Sequence, residues 1–221
     1  SKRQPRDFAI LFRTNDQPRA FEMELREENI PYSIFGGQSF FDRKEVKDVI
    51  SYLKILLHSY DDVALLRIIN APPRGIGSTT LAKLREYASA NKTSLWSALN
   101  PASPVYESLD VRSRKAISSF YKTIQFHSGK MRRSFSPDAV EELLRQVRYE
   151  DELARLYPDE NERRDRKNSV DEVLTAVAAY LNEHPNGTLS DFLDDASLGG
   201  PDFSSQQDKK SKANAVVLST Y

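Results

Sequence analysis

Five apolar residues in unbroken succession, Phe8-Ala9-Ile10-Leu11-Phe12, constrain this chain more than any other stretch. A run without polar alternation suits a strand covered on both faces, as in a parallel sheet, and such sheets hold ligands just past the C-terminal ends of their strands. Phe12 and Arg13 occupy that end. Two readings stand open: a nucleotide site in which the ring stacks on a purine and the guanidinium meets phosphate oxygens, or a buried strand closing on a solvated arginine.

After this strand, Asn15 or Asp16 can cap a helix with Pro18 in its first turn and Ala20, Phe21 and Leu25 inside. Ile30-Pro31-Tyr32-Ser33-Ile34-Phe35 reads as a second strand closed by Gly36-Gly37, which makes the opening part a βαβ unit. From Asp42 the period changes. Val46, Val49, Ile50, Leu53 and Leu57 mark an amphipathic helix whose outer face carries Arg43, Lys44, Lys47 and Lys54. A helix over 62–70 ends at Ala71-Pro72-Pro73, because the proline rings exclude the α conformation from the residue before them. Arg74-Gly75-Ile76-Gly77-Ser78-Thr79-Thr80 then leads into another helix.

Beyond Asn91 the pattern is helical almost to the end. A short helix over 94–99 precedes the breaker Asn100-Pro101-Ala102-Ser103-Pro104, the clearest candidate boundary. Further helices are predicted over 110–127, from the start signal Ser136-Pro137-Asp138, over 164–181, and near Thr188 or Ser190. Residues 199–214 are polar and glycine-bearing, the pattern of a mobile loop. Ala215-Val216-Val217-Leu218-Ser219-Thr220 is again a buried-strand pattern, and in a helical neighbourhood it is predicted to rejoin the first sheet. The fold class is therefore α/β plus all-α, a parallel-sheet domain with a large all-helical insertion.

Charged residues make up 29% with a formal net charge of zero, so no global field points to nucleic acid or membrane. The absence of cysteine excludes thiolate metal sites and disulfides, and His58, His127 and His184 are too dispersed for a histidine metal site. No apolar run approaches the roughly 20 residues that span a bilayer. A phosphate loop of the form G-x-x-x-x-G-K-[ST] is absent, and the chain by itself is expected to be inactive. Asp61-Asp62 and Asp194-Asp195 are read as helix-end caps. Gly75-Ile76-Gly77 either brings backbone N–H groups to a phosphate, helped by Arg74 and the hydroxyls of Ser78 and Thr79, or serves only a helix-helix corner. Between Val111 and Arg148 there are nine Lys or Arg residues against three acids. Lys130, Arg132 and Arg133 are expected to crowd a loop that either lies on a duplex backbone or is simply solvated.

These residues resemble the UvrD/PcrA/Rep-type superfamily 1 DNA helicases. Ala9-Ile10-Leu11-Phe12-Arg13-Thr14-Asn15-Asp16-Gln17-Pro18-Arg19 is similar to the family's motif IV. Ile30-Pro31-Tyr32 with Gly36-Gly37-Gln38-Ser39-Phe40-Phe41-Asp42-Arg43-Lys44-Glu45-Val46-Lys47-Asp48 resembles the segment that follows, and Leu65 through Gly77 a third block. The resemblance implies a partial RecA-like domain (2A) over 1–106, an all-helical insertion (2B) over 107–213, and the start of motif V over 214–221, in a fragment that stops before a His-Ala-Lys-Gly-like continuation. It implies ATP and Mg²⁺ as cofactors, both held mainly by a first RecA-like domain outside this chain. Arg13 would be the catalytic arginine reaching the γ-phosphate, and Phe12 would replace a tyrosine that stacks on adenine. Implied partners are single-stranded and duplex DNA and the N-terminal RecA-like domain, in the cytoplasm and without a membrane. One departure stands out: Val147-Arg148 precede Tyr149 where many relatives carry Ser-Gly.

The function expected is a part of an ATP-dependent 3′-to-5′ DNA helicase that supplies the second face of the ATP cleft and DNA-backbone contacts. The alternative is a non-catalytic helicase-derived module that binds DNA or a protein.

Overall fold

In the computed structural model, residues 3–13, 17–28, 30–35, 40–198 and 214–220 are described. The chain forms two compact units, Ser1–Arg43 with Asp191–Tyr221, and Lys44–Ser190.

The first unit holds β1 (Ala9–Phe12), α1 (Pro18–Glu27), β2 (Tyr32–Phe35) and β3 (Val216–Thr220). All pairing is parallel in the order β1-β3-β2, so the C-terminal run rejoins the opening sheet and lies between the first two strands. Ile10, Leu218 and Ile34 share one register row. With Phe12, Val216, Leu25, Ile30 and Tyr32 they make the core of this unit. The opposite face is open: Leu11 is 63% and Phe35 60% exposed. The opening strand is thus covered on one face among the described residues, where its unbroken apolar pattern predicts two. The proposed helix caps Asn15 and Asp16, the Gly36-Gly37 turn and nearly all of the 199–214 segment lie outside the described residues.

The second unit is helical: α2 (Lys44–Leu57), α3 (Asp62–Ile68), α4 (Ser78–Ala90), α5 (Leu95–Leu99), α6 (Val111–Arg133), α7 (Pro137–Gln146), α8 (Tyr149–Leu156), α9 (Glu160–Glu183) and the start of α10 (Leu189–Leu198). Its centre is α2, which packs on α3, α6 and α9. Val46, Val49, Tyr52, Leu53 and Leu56 are buried, and so are Glu45 and Asp48. Asp48, 1% exposed, is compensated on every side. It accepts from Lys44 Nζ at 2.6 Å, Arg67 Nε at 2.8 Å and the Tyr149 hydroxyl at 2.8 Å. Burial, and then the Asp48 charge, push the Tyr149 hydroxyl far above its ordinary pKa and keep it a donor. Glu152, also buried, is gripped by Arg155 through two hydrogen bonds of 2.9 Å.

Local capping follows the sequence at α3, α6 and α7, where Asp61, Asp110 and Ser136 accept from Ala64, Ser113 and Ala139 N–H groups. Asp194 differs from its expected capping role, since it lies inside α10. The helix predicted over 110–127 runs on to Arg133, because buried Met131 anchors one more turn to the core. Lys130, Arg132 and Arg133 therefore stand on the last helical turn, not in a loop. The breaker at Asn100–Pro104 falls inside the helical unit. Leu99 and Leu109 are buried on either side of it, and the compact units divide at 43/44 and 190/191. Among the described residues, no helix is long and apolar enough to cross a membrane.

Candidate nucleic-acid interface

The turn between α3 and α4 is held from below and left open above. Asn70 at the end of α3 fixes it: its side-chain amide donates to the Ile76 carbonyl at 2.6 Å and its oxygen accepts from the backbone of Arg74 and Ile76. Ile76 is 2% exposed and nails the middle of the turn into the core. Gly75 takes φ 77°, a left-handed conformation that side chains disfavour. Gly77 is the N-cap of α4. It provides no capping side chain, and no acid occupies the first turn. The opening N–H groups of α4, flanked by exposed Ser78 and Thr79, thus keep free donors at the positive end of the helix dipole.

A cation completes the arrangement, and it is not Arg74. Arg74 donates from Nη1 to the carbonyls of Ile68, Ile69 and Pro72 and from Nη2 to the Tyr52 hydroxyl, with its guanidinium 4.8 Å above the Phe120 ring. It closes the C-terminal end of α3 and has little left to offer a ligand. The cation at the turn is Arg112, on the first turn of α6. A Cβ on Gly75 would lie 3.3 Å from Arg112 Nε. Thr80 and Ser113 share a hydrogen bond of 2.9 Å that locks α4 against α6 and keeps Arg112 there. Arg112 is exposed. No local sequence pattern flags it, because it lies far along the chain from the glycines.

The other expected site residues divide in the same way. Arg43 lies 5.7 Å over the Phe40 ring in the first unit. Lys44 is spent on Asp48, with Glu152 at 3.6 Å, and Lys47 is partly exposed on α2. Lys130 is ion-paired with Glu142, whose carboxyl that hydrogen bond holds below its usual pKa. Arg132 and Arg133 are exposed at the far end of α6, and the structure does not bring them to the glycine turn. Phe12 is 4% exposed in the sheet core, so its ring has no face free for a base, while Arg13 is exposed just beyond β1.

Comparison with known proteins assigns the class. The chain belongs to the UvrD-like helicase C-terminal domain family, whose model matches residues 1–221. It is 38% identical over 194 residues to the ATP-dependent DNA helicase PcrA of Staphylococcus epidermidis, and 37% identical over 196 residues to PcrA of Staphylococcus aureus. Each match covers 87% of this chain and 26% of the relative, so the chain spans about a quarter of the length of these relatives.

Proposed function

We propose that this chain is part of an ATP-dependent DNA helicase that moves 3′ to 5′. Its small sheet and the helices up to about residue 106 would belong to the second RecA-like domain, and the helices beyond would be the insertion that touches duplex DNA. The observation that carries the reading is the open, uncapped start of α4 beside Arg112, in a chain of the helicase family. Backbone N–H groups of residues 78–80 would donate to phosphate oxygens while Arg112 offsets their charge, a mode that holds DNA without reading its sequence.

ATP and Mg²⁺ belong to the same reading, with the phosphoryl chemistry supplied by the nucleotide when bound. Among the described residues no group of three or more His, Asp or Glu converges as a metal site requires. Of the Phe12–Arg13 pair only the exposed arginine is free to approach a phosphate. The open face of the sheet, with Leu11 and Phe35, is what a partial domain completed by further chain would present.

Gly77→Asp tests the DNA contact in the complete protein. Gly77 has extended backbone geometry and nothing lies within 4 Å of an added Cβ, so aspartate is a good N-cap there and the fold should be slightly more stable. Its carboxylate would face the phosphate. Duplex affinity should fall at least ~10-fold at moderate salt while the melting temperature holds or rises. Unchanged affinity would sink the assignment of this turn.

A further inference from the structure

The far end of α6 carries a feature that duplex contact does not use. The last turn of α6, the end of α2 and the segment 185–190 enclose a cavity of about 450 Å³, within the range of pockets that accept ligands. Its lining is mixed, with apolar Leu56, Met131, Leu181 and Leu189 beside polar Ser128, Ser134, Asn186 and Ser190. Arg132 and Arg133 stand on its rim, and no carboxylate is among the lining residues. Both arginines are exposed. Neighbouring Lys130 is paired with Glu142, whereas no ion pair is formed by Arg132 or Arg133 among the described residues.

We propose that this cavity docks an acidic peptide segment of a partner protein. An apolar side chain of that segment would fill the space over Met131 and Leu181, and flanking carboxylates would meet the two guanidinium groups. Charge complementarity sets the sign of the partner: two uncommitted arginines and no acid reject a basic segment and attract an acidic one. The mixed lining sets its class. A DNA backbone offers phosphates but nothing apolar to meet the Leu and Met side chains, whereas a peptide supplies apolar, polar and acidic groups in a few residues.

The test pans a display library of random dodecapeptides against the complete protein and against its Arg132→Glu/Arg133→Glu form, each first checked for an unchanged melting temperature. Enriched peptides should combine Asp or Glu with Leu, Ile, Met or Phe. The tightest of them should bind the double variant roughly 10-fold more weakly or worse, as expected when charges facing a partner are reversed. Leu181→Gln, which leaves both arginines in place, should weaken the same peptide. The proposal is overturned if no acidic and apolar pattern is enriched, or if the peptides bind the double variant equally well. It is also overturned if a short duplex DNA displaces them in a manner that requires Arg132 and Arg133, which would make this face a phosphate surface. None of these outcomes depends on the glycine turn, so failure here leaves the duplex contact standing.

Discussion

Arg74 and Arg112 flank the same glycine turn, and the fold uses them in opposite ways. Arg74, next to the glycines in sequence, is consumed by the carbonyls that close α3 and by the Tyr52 hydroxyl. Arg112, remote in sequence, is delivered to the turn by the Thr80–Ser113 hydrogen bond and remains exposed. The contrast extends through the helical unit. Lys44 and Arg67 neutralise the buried Asp48, while Arg132 and Arg133 carry no such burden. A cation with an unpaired carbonyl or carboxylate to satisfy is part of the scaffold, and only one without such a debt is available to a ligand.

The strongest way to break this division is at Asp48. Asp48→Ala would strand Arg67, Lys44 and the Tyr149 hydroxyl around an empty acceptor. Removing one member of a buried, hydrogen-bonded charge group costs about 3–5 kcal/mol. Chemical denaturation should show that loss. A drop below about 1 kcal/mol would mean that the cluster is not structural.

Arg74→Ala comes next. It removes charge-assisted hydrogen bonds at the end of α3 and the stacking on Phe120, so about 2 kcal/mol of stability should go. The salt dependence of DNA binding should not change. A reduced salt slope with unchanged stability would reverse the roles assigned to the two arginines. Arg112→Ala should do the opposite, leaving the melting temperature intact, weakening duplex binding about fivefold, and lowering the slope of log affinity against log salt by about one.

Much of the helical scaffold was legible because apolar spacing and caps are local signals. Val46 through Leu57, the Asp61 and Ser136 caps and the return of Val216–Thr220 to the sheet are all written within short windows. Three features were not. The alternation of β1 is hidden when every residue is apolar, so nothing local says that Phe12 turns inward while Leu11 turns out. The apolar spacing ends the predicted helix at His127, yet α6 runs on to Arg133 because Met131 has a core position to fill. The breaker at Asn100–Pro104 reads as a boundary, yet Leu99 and Leu109 hold it inside one unit. For the candidate site, the glycine turn was visible and its cation was not, since guanidinium partners are set by tertiary contacts and not by proximity in the chain.

The smallest effect, and the finest test of the same division, lies at the α7–α8 turn. Arg148 adopts φ 61°, a left-handed conformation that costs a side-chain-bearing residue about 1 kcal/mol or more. Its guanidinium pairs with Asp151 at 2.7 Å, but both side chains are largely exposed, so that pair returns little. The turn survives without glycine because buried Val147 and Tyr149 anchor both sides of it. Arg148→Gly relieves the backbone and gives back part of the gain through the greater freedom of glycine in the unfolded chain. The net should be a stabilisation of about 0.5 kcal/mol, read as a small rise in the urea midpoint without a change in slope. If instead stability falls by about 1 kcal/mol or more, Arg148 belongs with Arg74 among the cations that hold the fold, and the left-handed turn is maintained by its side chain.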